Sequence, residues 1–369
     1  MADYFHNKDY NDYFEKLNNR IDSGAKSNAP KHRKTKSNAR RRRKTHRFMR
    51  GVLPLLLIIA LLCVIITVSV KGCKSDEPQV VGENVVSESE KTKSTEEIAE
   101  KIAYKSDSET VEIPEKYDAK TALVVRLSDG KIIAQRGAND RIYPASTLKI
   151  MTLLVACENM KSLDDTFTMS YDITDPLFLA DASVAGFKNG EEITIEDMLY
   201  GMILPSGADA AMGLAVKIAG SEENFVKLMN ERVKEMGLTG THFTNVSGLF
   251  SENNYSTAYD MAVITEYAFK NELCRKVLST YQHTTEKTTQ NPEGITLSST
   301  LFSYMYGNEP GTAEIMGGKT GYVNESGYCI CTFGKNTKTA EEYIVVTMGS
   351  SSKWPAFYGQ IDLYKEFAK

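Results

Sequence analysis

The sequence predicts an α+β domain, layered from a sheet and helices, in the C-terminal part of the chain. Strand-like alternation of apolar and polar residues occurs near both ends of this part, and helical periodicity fills the interval between them. Roughly 250 residues are available, which is enough for one layered domain around a single core.

The predicted elements can be placed in order along this domain, which we expect to begin near Tyr117. Thr121–Leu127, the turn Ser128-Asp129-Gly130 and Lys131–Gln135 have the pattern of a β-hairpin. The other elements that apolar periodicity predicts are helices over Ser146–Met160, Ile195–Ala219, Glu222–Met236 and Tyr259–Lys270, strands over Tyr328–Phe333 and Tyr343–Met348, and a closing helix over Ala356–Phe367.

Charge is divided unevenly along the chain. The net charge of −4 combines +10 within residues 1–50 with −14 in the remainder. Directly after residue 50, the segment Gly51–Val70 carries no charged side chain. About 20 such residues in a helix cross a hydrocarbon core about 30 Å thick. The basic run Arg40–Lys44 directly before it keeps the N-terminus cytoplasmic. We therefore predict a single-pass anchor in the cell membrane, with residues 117–369 forming an extracytoplasmic catalytic domain.

The flanks of the predicted anchor are too polar to form a core. Residues 1–50 are predicted to be disordered, although the aromatic residues between Tyr4 and Phe14 leave open the alternative of docking to a cytoplasmic partner. A nucleic-acid partner is not expected, because a basic run placed before a membrane span is typical of a topology signal. Residues 71–116 are predicted to be an acidic and polar stalk.

The cysteines and histidines do not indicate a disulfide framework, a catalytic triad or a metal site. Cys329 and Cys331 are two apart on a predicted strand and so share a face, and the six cysteines form no disulfide framework. Only His242 and His283 follow the predicted span, and neither belongs to a Ser–His–Asp pattern. We expect no metal site and no cofactor.

The first candidate motif is Ser146-Thr147-Leu148-Lys149, at the start of a helix that is apolar around much of its circumference. Residues three apart share a helix face, so the Lys149 amine lies beside the Ser146 hydroxyl. A serine needs a base to become a nucleophile, and a lysine supplies one if burial lowers its pKa. The pattern alone also fits a capping serine followed by a surface lysine.

The second candidate motif is Leu204–Asp209, on a turn that leads into a helix. The hydroxyl of Ser206 is placed to relay a proton between Lys149 and a leaving group. An ordinary N-cap serine is the alternative.

The third candidate motif is Gly317-Gly318-Lys319-Thr320-Gly321-Tyr322, which opens the C-terminal pair of strands. Glycines on an edge strand let a substrate backbone approach and pair with it. Lys319 and Thr320 then offer a cation and a hydroxyl to a carboxylate. A glycine-rich turn is the alternative.

In this order the three motifs resemble those of penicillin-binding proteins and serine β-lactamases. Phe225–Leu249 and Tyr255–Ala262 resemble more specifically the D-alanyl-D-alanine carboxypeptidases, serine peptidase family S11. The resemblance covers about Tyr117 to Lys369. It implies an antiparallel sheet flanked by helices, with a mainly helical subdomain and Ser146 between the two.

The resemblance also implies a role for each matching residue. The D-Ala-D-Ala end of a peptidoglycan stem peptide would acylate Ser146, and β-lactams would do so as inhibitors. Lys149 would be the general base, and Ser206 would join the proton relay. The substrate-binding residues that it implies are Lys319, Thr320, Gly321 and Tyr322, with the backbone N–H groups of Ser146 and Tyr322 as the oxyanion hole.

Two departures from the family pattern bear on substrate binding. The second motif of the family usually ends in Asn, whereas Ala208 stands here, and the neighbouring Asp209 is not expected to replace it. The family also tends to place an arginine near the C-terminus. No arginine follows Arg275 in this chain, and Lys353 is the cation nearest to that place.

Two alternative functions remain, one suggested by these departures and one, the class A β-lactamase, by the first and third motifs that it shares. A non-catalytic penicillin-binding or wall-sensing protein would keep the binding pocket but would have lost the catalytic rate. A class A β-lactamase would need a Glu-x-x-Leu-Asn pattern, which Phe225–Leu249 does not contain. Release of D-alanine from a pentapeptide distinguishes the carboxypeptidase from the binding protein.

Overall fold

The computed structural model describes residues 101–305, 307–308 and 310–369. The predicted disordered segment, the predicted anchor Gly51–Val70 and residues 71–100 of the predicted stalk lie outside the described residues. No helix within the described ranges combines the length and the apolar character that crossing a membrane requires.

The described residues form ten strands. They are β1 (Val111–Glu112), β2 (Thr121–Arg126), β3 (Lys131–Arg136), β4 (Thr166–Thr168), β5 (Glu192–Thr194), β6 (Gln282–Thr284), β7 (Thr296–Ser298), β8 (Ala313–Val323), β9 (Gly327–Asn336) and β10 (Glu342–Ser350). Six of them make one sheet in the order β1-β3-β2-β10-β9-β8, which leaves β8 at an edge. The pairs β4–β5 and β6–β7 are separate two-stranded sheets.

The same residues form nine α-helices. They are α1 (Lys149–Asn159), α2 (Tyr171–Leu179), α3 (Ile195–Ile203), α4 (Ala208–Ala219), α5 (Glu222–Met236), α6 (Ala258–Lys270), α7 (Glu272–Leu278), α8 (Thr300–Met305) and α9 (Lys353–Phe367). The closing helix thus begins three residues before the predicted start at Ala356.

The expectation of a purely antiparallel sheet is wrong at one edge. Five strands pair antiparallel, but β1 joins β3 in parallel, with Val111 opposite Ala134. The segment that contains β1 also contributes buried side chains, Tyr104 and Ile113. Packing therefore begins before Tyr117, because these side chains bury apolar surface that the sheet and α6 leave open.

Helices cover both faces of the sheet. On β2, Leu123 and Val125 point into the larger core, which α1 and α6 complete, whereas Ala122 and Val124 point into a second core beneath α9. This alternation is the two-residue period of a strand that is buried on both faces. The helices α3 to α7 pack around α1, and the turn that leads into α1 lies against the edge strand β8.

The helical stretch predicted over Ile195–Ala219 is broken into α3 and α4. Pro205 has no N–H to donate, and Ser206 adopts a left-handed backbone with φ of +68°. The N-terminus of α3 is capped by Thr194, whose hydroxyl accepts from the N–H of Asp197. The break takes Ser206 out of both helices and places it in the turn between them.

Candidate active site

Ser146 lies in a tight turn rather than in a regular helix. A 3-10 turn over Ala145–Leu148 precedes α1, so the helix predicted to start at Ser146 is regular only from Lys149. Ala145 has φ of +50°, which is uncommon for a residue with a Cβ atom. Strained backbone of this kind often occurs where a side chain must be aimed precisely.

The turn brings the hydroxyl of Ser146 and the amine of Lys149 together. Ser146 Oγ lies 3.1 Å from Lys149 Nζ and donates to the carbonyl of Ser247 at 3.4 Å. Lys149 Nζ donates to that same carbonyl at 2.5 Å. A neutral amine that donates to Ser247 still has its lone pair available for the Ser146 proton.

Burial sets the protonation state of Lys149. The residue is 1% exposed, and this desolvation lowers the pKa of the amine from 10.5 to about 7, against the opposing charge of Asp209. A substantial fraction of the amine is therefore neutral at neutral pH. Lys149 meets the main requirement for a general base, which is a pKa close to the working pH.

The carbonyl of Ser247 is a site element that sequence reasoning missed. Asn245 builds the loop that presents it, because its side-chain oxygen accepts from the N–H groups of Ser247 and Gly248. Thr152, one turn beyond Lys149, donates to the carbonyl of Val246 at 2.9 Å and holds the same loop against α1. The sequence feature that could have indicated this turn is an Asn followed three residues later by a Gly, Asn245 and Gly248. In the structure Gly248 has φ of +79°.

The second motif presents an unpaired hydroxyl. Ser206 is 7% exposed, and its Oγ has no hydrogen-bond partner among the described residues. A buried polar group without a partner costs about 1–3 kcal/mol, so such groups are usually satisfied by a ligand or a water. The left-handed backbone of Ser206 places this hydroxyl at the turn between α3 and α4.

The last residues of the second motif, Ala208 and Asp209, differ from the family pattern in the groups that they present. Ala208 is buried and offers only a methyl group. Asp209 instead accepts from the N–H groups of Ala185, Gly186 and Phe187 at 2.7–3.2 Å. It therefore anchors the segment before β5 against the Ser206 turn and does not substitute for the missing amide.

The third motif passes along the Ser146 turn on the edge strand β8. A Cβ atom on Gly321 would lie 2.7 Å from the nitrogen of Ser146, so only glycine permits this approach. Gly318 has φ of +151°, and a Cβ atom there would meet the carbonyl of Cys331 at 2.1 Å. Gly321 thus lets the Lys-Thr-Gly segment lie against the Ser146 turn, and Gly318 lets β8 pack closely on β9.

Lys319 is a second buried lysine in the same site. It is 1% exposed, and burial, with a smaller effect from Lys149, lowers the pKa of its amine well below the usual range. Its Nζ donates to the carbonyl of Thr320 at 2.9 Å. Tyr322, by contrast, is half exposed, and its hydroxyl donates to Asn324.

Lys353 and the two histidines of the described domain contact groups outside the three motifs. Lys353 Nζ donates to the hydroxyl of Tyr304 at 2.9 Å. His283 is 2.6 Å from Asp197, and His242 contacts the carbonyl of Asn253. Across the part of the chain that the structure describes, no group of three or more His, Cys, Asp or Glu side chains is arranged to hold a metal ion.

The fold is that of the penicillin-binding and DD-peptidase class. The sequence profile of Peptidase S11, described as D-alanyl-D-alanine carboxypeptidase, matches residues 107–352. The chain belongs to this family, as its three motifs predict.

Individual relatives agree with this assignment. The D-alanyl-D-alanine carboxypeptidase DacF of Bacillus subtilis is 33% identical over 236 residues, which are 64% of this chain and 58% of the relative. DacB2 of Mycobacterium tuberculosis is 33% identical over 56% of this chain and 67% of its own length. The crystal structure of the Streptomyces K15 DD-transpeptidase is similar with a TM-score of 0.60 at 28% identity, over 68% of this chain and 97% of that one.

The reactivity of Ser146 should depend on pH through Lys149. Only the neutral amine accepts a proton, so acylation of Ser146 by a serine-directed reagent should be slow below about pH 6 and reach a plateau above about pH 8. The midpoint should fall at about 7, the pKa of the buried amine. Labelling rates followed by mass spectrometry test this, with Ser146→Ala as the unlabelled control. A midpoint near 10.5 would contradict the assignment.

Replacing Asp209 should alter both the segment it anchors and the base. Asp209→Ala leaves four backbone N–H groups without this acceptor, which should lower the free energy of unfolding by about 1–3 kcal/mol. Loss of its charge should also move the labelling midpoint of Ser146 to lower pH, because that charge raises the pKa of Lys149. Asp209→Asn should shift the midpoint in the same direction with a smaller loss of stability. Unchanged midpoints in both variants would refute the coupling.

A methyl group at Gly321 should separate the third motif from the nucleophile. Gly321→Ala places Cβ 2.7 Å from the nitrogen of Ser146, so β8 has to shift. A displacement of about 1 Å in an active site reduces rates by about a hundredfold, and labelling of Ser146 should slow accordingly. Gly359→Ala is the matched control, because the nearest atom to its Cβ lies 3.9 Å away. Labelling of Gly321→Ala at the wild-type rate would show that this approach is not needed.

Proposed function

We propose that the domain is a serine-type D-Ala-D-Ala carboxypeptidase that removes the terminal D-alanine from peptidoglycan stem peptides. One observation carries the proposal: Ser146 Oγ lies 3.1 Å from the buried amine of Lys149, whose pKa is about 7. Membership of the S11 family supports the substrate class, since the relatives are named as D-alanyl-D-alanine carboxypeptidases.

The first chemical step is acylation of Ser146. Neutral Lys149 takes the hydroxyl proton while Oγ forms a bond to the carbonyl carbon of the penultimate D-alanine. The carbonyl oxygen becomes an oxyanion, for which the backbone N–H groups of Ser146 and Tyr322 are the proposed donors. One such donor typically contributes about 3–4 kcal/mol to the transition state.

The second step returns the proton to the leaving group. As the C–N bond breaks, the amine of the terminal D-alanine needs the proton that Lys149 now holds. Ser206 supports a relay, because its buried hydroxyl has a proton to donate and no partner among the described residues. Water then hydrolyses the acyl-enzyme, which releases the shortened peptide and restores the Ser146 hydroxyl and neutral Lys149.

Lys319 and Thr320 are the proposed ligands of the terminal carboxylate. Burial lowers the pKa of Lys319, whereas a bound carboxylate favours the charged form of a neighbouring amine. Substrate binding and protonation of Lys319 therefore support each other. Gly321 and Tyr322 continue the edge strand, whose backbone pairs with the extended peptide.

β-Lactams are the proposed covalent inhibitors of the same serine. Their amide bond replaces the peptide bond, and acylation opens the ring without releasing a leaving group. We expect the adduct to decay slowly, in contrast to a β-lactamase, since the sequence lacks the Glu-x-x-Leu-Asn pattern that activates a deacylating water.

We also propose that the domain works outside the cytoplasm and is held at the cell membrane by Gly51–Val70. The support is the uncharged 20-residue segment after a basic run, together with the acidic balance of the remaining chain. A cysteine-accessibility assay on intact cells tests this topology. Labelling of residues in 117–369 only after cell lysis would refute it.

Incubation of the full chain in detergent with a muropeptide pentapeptide tests the activity. The wild type should convert the pentapeptide to the tetrapeptide with release of one D-alanine, and Ser146→Ala and Lys149→Ala should not. Penicillin should label the wild type at Ser146, and the adduct should persist over many peptide turnovers. Rapid hydrolysis of penicillin would favour a β-lactamase instead.

Ala208 favours one alternative, a wall-binding or sensing protein that retains the pocket. The methyl group at Ala208 supplies neither donor nor acceptor to a substrate peptide bond. Penicillin labelling of Ser146 without any D-alanine release would support this reading over the carboxypeptidase. Recovery of release in Ala208→Asn would then identify the missing amide as the cause.

A further inference from the structure

Thr300 joins two of the three motif segments around Ser146. Its backbone N–H donates to the carbonyl of Leu204 at 3.0 Å, two residues before Ser206. Its hydroxyl lies 2.9 Å from the hydroxyl of Thr320 in the Lys-Thr-Gly segment. The first residue of α8 therefore ties the turn between α3 and α4 to the edge strand β8.

The direction of the Thr300–Thr320 hydrogen bond depends on what Thr320 binds. A hydroxyl has one hydrogen to donate and two lone pairs that accept. When Thr320 donates to a carboxylate, its bond to Thr300 can only be one that it accepts, so Thr300 becomes the donor. Donation by Thr300 also polarises the Thr320 hydroxyl, which makes it a stronger donor to the carboxylate.

The hydroxyl pair is more accessible than Lys319, the neighbouring lysine with which it would share the carboxylate. Lys319 Nζ donates to the carbonyl of Thr320 and is fully buried. Lys353 Nζ donates to the hydroxyl of Tyr304 and lies 4.0 Å from the centre of that ring. Thr300 and Thr320 are both only partly buried, so a ligand can reach this pair.

We infer that Thr300 is a positioning residue that orients the Thr320 hydroxyl toward the terminal carboxylate and so makes the site selective for a free carboxylate. The inference rests on the proposed function for the identity of the ligand. Thr300 acts through Thr320, and its backbone bond to Leu204 fixes the position from which it acts.

The test compares Thr300→Val with Thr300→Ser in the full chain. Valine keeps the shape of the side chain and removes the hydroxyl, whereas serine retains the donor. For each protein, kcat/KM is measured for a D-Ala-D-Ala peptide with a free C-terminus and for the same peptide as its C-terminal amide. The acid-to-amide ratio is independent of the folded fraction, so a loss of stability does not obscure it.

We expect the acid-to-amide ratio to fall about fivefold to tenfold in Thr300→Val, as for the loss of one hydrogen bond between neutral groups, here the bond from Thr300 to Thr320. Thr300→Ser should restore it. An unchanged ratio in Thr300→Val, a ratio that serine does not restore, or a wild type without preference for the acid would overturn the inference. Equal losses toward both peptides would also overturn it, because they would show that Thr300 only supports packing.

Failure of the proposed function would appear separately, as a wild type that releases no D-alanine. In that case the acylation rates of Ser146 with benzylpenicillin and with its methyl ester provide the same ratio without any hydrolysis. The inference then stands if Thr300→Val lowers the acid-to-ester ratio to the same extent and Thr300→Ser restores it. A wild type that reacts with neither penicillin would overturn both proposals.

Discussion

The burial of one amine governs the chemistry of this site. Lys149 lies inside the domain beside Ser146, and removal from water lowers its pKa from 10.5 to about 7. A shift of this size corresponds to about 5 kcal/mol against the charged form in the folded protein. The penalty is full below pH 7, and it decreases as pH rises toward 10.5, where the unfolded chain also loses the proton. The lowered pKa of Lys149 is thus maintained at the expense of stability, and the cores on both faces of the sheet have to offset that loss.

Two buried lysines near one serine impose a second constraint. The proximity of Lys149 further lowers the pKa of Lys319, so two full charges in this volume are unfavourable without an anion. The carbonyls of Ser247 and Thr320 accept hydrogen bonds from the two amines, which solvates them without adding a negative charge. The site is therefore prepared for an anionic ligand, since a carboxylate would compensate the second charge.

The second motif shows how an altered sequence retains a site's architecture. Ala208 lacks the amide that the family usually has, yet Asp209 holds the segment over Ala185–Phe187 through three backbone N–H groups. The turn that carries Ser206 is kept in place by this anchor and by the bond between Leu204 and Thr300. What Ala208 lacks is thus a side-chain amide, while the position of the Ser206 hydroxyl is maintained by its surroundings.

The sequence by itself determined the class of fold, the three motifs and the pairing of Ser146 with Lys149. These are local properties, because the period of a helix sets which side chains share a face. Tertiary structure alone decided the parallel strand β1, the carbonyl of Ser247 as partner of Lys149, and the link from Thr300 to Thr320. Each of these contacts joins segments that are far apart in the chain. The backbone groups and hydroxyls that make them belong to no sequence motif that would have indicated the contact. The pKa of Lys149 belongs to the same group, because desolvation depends on all of the atoms packed around an amine and not on its neighbours in sequence.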